Sequence, residues 1–239
     1  MNRYKIADVI FELNCVYSFT PKLCEGYAYF GAEPAETVIN ITESDIEREV
    51  SPALPRPKEY LECIAVYRKI CEYIFKYKDG MLLHASAVVY NDKAYLFSAP
   101  SGTGKSTHAS LWVELLGEKA FIINDDKPII RHIDGKFFVY GTPWSGKHRK
   151  DVNGKAEIKA ICFISQAKEN AVKSASVKEI FPLLLNQTVR FESEVETDKS
   201  FALIEKLLTS VALYKMECNP TVSAAELAVK VMAGEENEN

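Results

Sequence analysis

Between residues 4 and 13 apolar and polar side chains alternate, with Ile6, Asp8, Ile10 and Glu12 on one side and Ala7, Val9, Phe11 and Leu13 on the other. A period of two predicts a half-buried strand there, and shorter strands are expected at 27–30 and 37–42. Three prolines between Ser51 and Pro57 exclude an internal strand or a helix interior and mark a hinge between layers. Beyond it, Leu61, Ile64, Tyr67, Ile70, Cys71, Ile74 and Phe75 recur at the spacing of a helix with one buried face, over 59–78, which Gly80 is expected to end. The β-like runs 84–90 and 93–98 meet at Asn91-Asp92 and read as a hairpin. A helix is predicted at 105–116 and a strand at 120–124, then a hairpin turning at Asp134-Gly135 between 128–132 and 136–140. Further on come a strand at 156–165, helices at 177–186 and 199–212, a strand at 213–218 and a helix at 223–233.

Antiparallel hairpins interleaved with helices do not fit a simple βαβ nucleotide fold, in which helices separate parallel strands. The expected class is α/β or α+β with a central mixed sheet. At 239 residues the chain holds one large domain with a small added layer. The division expected is a β-rich N-terminal layer at 1–50, a main domain at 51–234 and a frayed acidic tail at 235–239.

Composition narrows the partners. A net charge of −4 supplies no global field for a phosphate backbone, so nucleic acid is not expected as a main partner. The six cysteines are scattered, with no C-x-x-C pair and no Cys/His cluster at ligand spacing, which predicts reduced thiols and no zinc. Met1 to Cys15 has no continuous apolar stretch of the secretory kind, and no run approaches the ~20 apolar residues of a membrane span. The expectation is a cytoplasmic protein with no membrane partner.

Chemistry enters at Ala99-Pro100-Ser101-Gly102-Thr103-Gly104-Lys105-Ser106. A glycine-rich turn running from a strand into a helix offers backbone N–H groups and the positive end of the helix dipole to a phosphate. Ser101, Gly102, Thr103, Gly104, Lys105, Ser106 and Thr107 are the candidate nucleotide-binding residues: Lys105 reaches the β- and γ-phosphates and the Ser106 hydroxyl is a ligand for Mg²⁺. Ala99 stands where the usual pattern begins with glycine. His108 and Trp112 fall inside the following helix and are expected as core or surface residues rather than ligands.

Twenty residues after Lys105, Asn124-Asp125-Asp126 closes an apolar strand. Two acids at a strand end also serve as a turn or a helix cap. Next to a phosphate loop they suit a second role, one holding Mg²⁺ and the other accepting the proton of an attacking hydroxyl.

These features together resemble the HPr kinase/phosphorylase family, whose P-loop domain is similar to that of phosphoenolpyruvate carboxykinase. The resemblance is carried by Leu83 to Val88, the hairpin after it, Ser98 to Thr107 and Asn124-Asp125-Asp126, in that order and spacing. Gly141 to Gly146 and Val211 to Met216 look like the short kinase-like branch found near peptide-modification genes. The resemblance spans about residues 80–220. It implies the P-loop domain of that type, with Asp125 as general base, Asp126 on Mg²⁺ and His84 beside them, and it implies self-association. The long C-terminal signature by which HPr kinases hold their protein substrate has no clear match, nor do the first fifty residues.

The expected reaction is transfer of the γ-phosphoryl group of ATP, with Mg²⁺, to a hydroxyl of the serine type in a protein or peptide. Two alternatives stand beside it: a non-catalytic ATP-binding module regulating a peptide-modification pathway, and phosphorolysis or hydrolysis of a phosphoserine. Three weaker features remain open. Trp144 to Lys150 is either a substrate flap whose cations meet phosphate or an acidic peptide, or a solvated basic loop. Arg190 is either an arginine finger or a surface arginine, and Glu157 reads as a solvent-facing strand residue.

Overall fold

In the computed structural model, which describes residues 2–189 and 193–234, the first alternating segment is a hairpin rather than one strand. Strands β1 (Arg3–Ile6) and β2 (Val9–Asn14) pair antiparallel because Ala7 and Asp8 both adopt positive φ, 51° and 61°. Asp8 is held in this left-handed turn by Tyr140 Oη at 2.9 Å and Lys155 Nζ at 2.6 Å, contacts from far along the chain. After the short helix α1 (Phe19–Leu23), residues 25–27 form a 3₁₀ turn, so the strand expected at 27–30 is reduced to a single bridge between Tyr4 and Ala28. Strand β3 (Thr37–Asn40) adds parallel to β2 and completes a three-stranded sheet.

Helix α2 (Glu43–Arg48) is closed at its start by a capping box in which Thr42 and Asp45 satisfy each other's backbone N–H groups. The proline-rich segment leads into α3 (Lys58–Tyr77), whose apolar stripe is buried against β1 and β2 on one side and against Ile129, Tyr140 and Trp144 on the other. Gly80 does not cap this helix. The left-handed position is Asp79, at φ 44°, while Gly80 opens β4 (Gly80–Leu82), where a Cβ would lie 2.8 Å from the Ile130 carbonyl oxygen.

The remaining elements are β5 (Ala85–Tyr90), β6 (Lys93–Ser98), α4 (Lys105–Leu116), β7 (Ala120–Asn124), β8 (Ile129–Ile133), β9 (Lys136–Tyr140), β10 (Lys155–Gln166), β11 (Ala171–Ser174), α5 (Val177–Leu185), α6 (Glu194–Ser210), β12 (Ala212–Cys218) and α7 (Val222–Ala233). Both predicted hairpins turn on residues with positive φ, Asn91-Asp92 at 48° and 59° and Asp134-Gly135 at 49° and 80°, the combination a two-residue type I′ turn requires.

The large sheet is mixed and runs β4-β8-β9-β10-β6-β5-β7. It branches at β10, because this twelve-residue strand first pairs antiparallel with β9 at Lys155–Glu157 and then parallel with β12 from Ala160 to Gln166. Its other edge carries β6 in parallel. Both faces are covered. Ala85, Ala87, Val89, Leu96 and Ile161 pack under α5 and α6, while Val88, Tyr95, Phe97 and Cys162 pack under α4 and α7. That is why β5, β6 and β10 read as nearly continuous apolar runs. Strands β4 and β11 and helices α1 and α2 are short elements that periodicity did not predict. The acidic tail, 235–239, lies outside the described residues.

Candidate functional site

Strand β6 ends at Ser98 and the chain turns through 99–104 into α4. Gly102 and Gly104 hold φ at +81° and +114°, which an L side chain rarely adopts, so glycine is needed at both by conformation rather than by space. Ala99 is fully buried against the core beneath α4 and α7, and its methyl fits there without a positive φ. The first-turn N–H groups of α4, with the residues before them, face a cleft of about 500 Å³.

That cleft brings together residues from four separate segments. Ser101, Gly102, Gly104, Lys105, Ser106 and Thr107 come from the turn and α4, His84 from the approach to β5, Asp125 and Asp126 from the end of β7, and Gly146, Lys147 and His148 from the loop after β9. All the sequence-predicted site residues line it except Thr103, which lines a second cleft sharing the same glycines. Arg190 falls outside the described residues. Glu157 faces β6 and β9, where Lys93 and Lys136 pair with it at 2.7 and 3.1 Å, away from the cleft.

Lys105 is only 6% exposed, and its ammonium donates to the Ala99 carbonyl at 2.9 Å and the Pro100 carbonyl at 3.3 Å. Burial pulls its pKa below the usual lysine value, and the charges of Asp126 and Asp125 oppose that shift. The two carboxylates are not equivalent. Asp125 is 5% exposed and its Oδ1 accepts a 2.7 Å hydrogen bond from Ser86 Oγ, whereas Asp126 is about one-third exposed and its Oδ1 lies 3.2 Å from His84 Nε2. His84 is fixed from its other side, where Nδ1 is 3.0 Å from the Gln187 side-chain amide and its backbone N–H donates to the Gln187 carbonyl at 2.8 Å.

Several of these supports were missed by sequence reasoning. Asn124, fully buried, accepts from the N–H groups of Asp126 and Lys127 through Oδ1 at 3.0 and 2.9 Å, and donates from Nδ2 to Thr142. This fixes the turn that presents both acids. Ser86 carried a legible signal, a hydroxyl inside the otherwise apolar run Ala85 to Val89. Thr142 stood within the run Gly141 to Gly146 without a role of its own, and Gln187 carried no signal.

The loop 141–146 is pressed against the acids. Gly141 lies so close to β7 that a Cβ would stand 2.7 Å from the Ile123 carbonyl, and a Cβ on Gly146 would stand 3.2 Å from that of Asp126. Trp144 anchors this loop on α3, with its ring 4.5 Å from that of Tyr67 and its Nε1 donating to Cys63 Sγ at 3.2 Å.

The second cleft, about 560 Å³, continues along α4 past Thr107, His108 and Leu111 to Gln166, Ala167, Lys168, Cys218, Asn219 and Pro220. Gln166 Nε2 ties its floor to the turn by donating to the Thr103 carbonyl at 3.2 Å. His108 is buried at its edge and burial pushes its pKa down to about 4, so the ring is neutral. Trp112 Nε1 donates to His108 Nε2 at 3.2 Å, which puts the ring proton on Nδ1, and that donor has no partner among the described residues.

Among the described residues no group of three or more His, Cys, Asp and Glu side chains is placed to hold a metal ion by itself, and no helix is long and apolar enough to cross a membrane. No family model matches the chain, and no curated protein matches it. Among solved structures, the chain is similar to the HPr(Ser) kinase/phosphatase from Coxiella burnetii, with 12% identity, coverage of 54% of this chain and 88% of that one, and a TM-score of 0.31.

Proposed function

We propose that this protein is an ATP-dependent kinase of the HPr kinase-like type, which transfers the γ-phosphoryl group to a serine hydroxyl of a protein or peptide. The reading rests on one observation above the others: a glycine turn at a helix start, a buried lysine, a hydroxyl and two carboxylates face one cleft from distant parts of the chain. On this reading residues 51–234 are the kinase-like unit, and the layer 1–50 braces α3 behind the site.

The donor set suits Mg²⁺ held together with a nucleotide. This ion keeps several waters and takes one or two protein oxygens plus phosphate oxygens, so Ser106 and Asp126 are sufficient where a three-ligand cage is absent. Bound there, it supplies charge neutralisation at the β- and γ-phosphates. Ser101 to Thr107 cradle the phosphates with backbone N–H groups. Lys105 exchanges its two carbonyl partners for phosphate oxygens, a short movement for a flexible four-carbon stem. The second cleft takes the nucleoside, with His108 Nδ1–H as a donor toward it.

Asp125 takes the acceptor proton. As the serine O–H bond breaks, the proton passes to the Asp125 carboxylate, the new O–P bond forms and the bond from phosphorus to the β-phosphate oxygen breaks, releasing ADP. Ser86 holds one oxygen of Asp125 so that the other faces the acceptor. His84 steadies Asp126.

The test is Mg-ATP binding by calorimetry together with ADP formation in the presence of serine-containing peptides. Turnover that yields a phosphopeptide and is abolished by Lys105→Ala and by Asp126→Ala is the expected result. Normal activity in either variant overturns the reading, and binding without turnover against every acceptor replaces it with a regulatory ATP-binding module.

A further inference from the structure

Residues 146–150 make a short exposed excursion between two clamped ends. On one side Trp144 and Ser145 are buried; on the other Asp151 accepts from Tyr27 Oη at 3.0 Å and from Ser145 Oγ, and the Val152 N–H donates to the Ile123 carbonyl at 3.1 Å. Arg149 sits at φ 49° within the turn, and its N–H closes on the Gly146 carbonyl at 3.4 Å. Four consecutive exposed side chains, Lys147, His148, Arg149 and Lys150, are therefore carried on a defined support rather than a free loop.

Their placement follows the cleft outward. Lys147 and His148 line the same cleft as Lys105, and His148 and Lys150 go on to line a groove beside α4 with Ser110 and Glu114. Lys150 Nζ donates to Ser110 Oγ at 2.9 Å, which ties the turn to that helix. Neither Lys147 nor Arg149 has a carboxylate partner among the described residues. The chain as a whole is acidic, at −4, so this concentration of positive charge at the cleft mouth is local. Lys105 and the first turn of α4 already face that cleft, and His148 and Lys150 extend the basic lining past it into the neighbouring groove.

We propose that this cationic turn recognises the acceptor, and that the acceptor is a peptide segment bearing carboxylates on the residues flanking its hydroxyl. This deepens the kinase reading and rests on it for the position of the hydroxyl. Rim charges of this kind act through encounter and register, so the preference depends on ionic strength.

Two assays separate the recognition from the chemistry. Fluorescence anisotropy compares a labelled heptapeptide Gly-Glu-Glu-Ser-Glu-Glu-Gly with its counterpart in which every Glu is Gln, and a parallel assay follows phosphorylation of both. The expected result is binding of the acidic peptide about tenfold tighter, lost in the Lys147→Gln/Arg149→Gln variant and at ~0.5 M salt. Equal binding of the two peptides overturns the inference, as does a variant that raises the KM for Mg-ATP and leaves the peptide preference intact. If the acidic preference holds and neither peptide is phosphorylated, the recognition surface stands and the kinase reading falls. If both are phosphorylated with the same KM and bind alike, the kinase reading stands and the recognition falls.

Discussion

Trp144 stacks on Tyr67 with ring centroids 4.5 Å apart, and through this contact helix α3 holds the loop that closes over Asp126. Tyr67 also donates from Oη to the Lys127 carbonyl at 3.2 Å, so one buried aromatic touches both the loop and the turn carrying the acids. The N-terminal layer, packed on the same helix, thus acts on the site at one remove.

Replacing Trp144 with alanine removes the stack, the hydrogen bond to Cys63 and a largely buried ring. The expected loss is about 3–5 kcal/mol of unfolding free energy, read from the midpoint of urea denaturation. Trp144→Phe keeps the stack and is expected to lose less than half of that. A variant as stable as the parent would show that α3 does not support the loop.

Ser86→Ala leaves Asp125 in place and takes away the hydroxyl that donates to its Oδ1. About 1–2 kcal/mol of stability is expected to go with a buried hydrogen bond to a charged group. In phosphoryl-transfer assays the proposed kinase reading expects the variant to lose kcat with little change in the KM for Mg-ATP, because Ser86 lies on β5, outside the glycine turn 99–104. A rise confined to the ATP KM would contradict the assignment of Asp125 to the acceptor side.

His108 supplies a pH dependence with a definite sign. Its folded pKa of about 4 lies below the ordinary 6.5, so between these values the unfolded chain binds the extra proton. The stability it allows is fully present above pH 6.5 and falls as pH drops toward 4, by at most about 3 kcal/mol, then levels off. His108→Gln is expected to flatten this limb in pH-dependent thermal melts. An unchanged profile would place the acid sensitivity elsewhere.

Gly141 admits no side chain. A Cβ there would meet the Val152 carbonyl oxygen at 1.9 Å and the Ile123 carbonyl at 2.7 Å, both backbone. Gly141→Ala therefore pushes Gly141 away from both Ile123 of β7 and Val152, which follows the cationic turn. Destabilisation of about 3 kcal/mol or more is expected, measured by denaturant titration. Gly117→Ala serves as a contrast, with open space around the new methyl and only the cost of its φ of +57°.

Much of the local structure around the candidate site was legible because its signals are local. The succession of strand, glycine turn and helix from Lys93 to Leu116 is written in neighbouring residues, and so are the turns at Asn91-Asp92 and Asp134-Gly135, where a positive φ selects the residue type. The alternation at 4–13 misled for the same reason. Period two continues unbroken through Ala7 and Asp8, and the turn there is held by Tyr140 and Lys155, more than 130 positions away. Gly80 misled because its need is spatial: the Ile130 carbonyl, not a helix end, excludes its side chain.

By itself, then, the sequence determined the local conformations, the buried faces of the helices and the glycines that the turn before α4 demands. Only the tertiary structure decided which residues meet: that His84 stands between Gln187 and Asp126, that Ser86 rather than a charged group partners Asp125, and that Lys147 and His148 line the same cleft as Lys105. The physical reason is range. Backbone preferences act within a few residues, whereas the cleft is assembled by the burial of three apolar clusters whose contacts join segments a hundred residues apart.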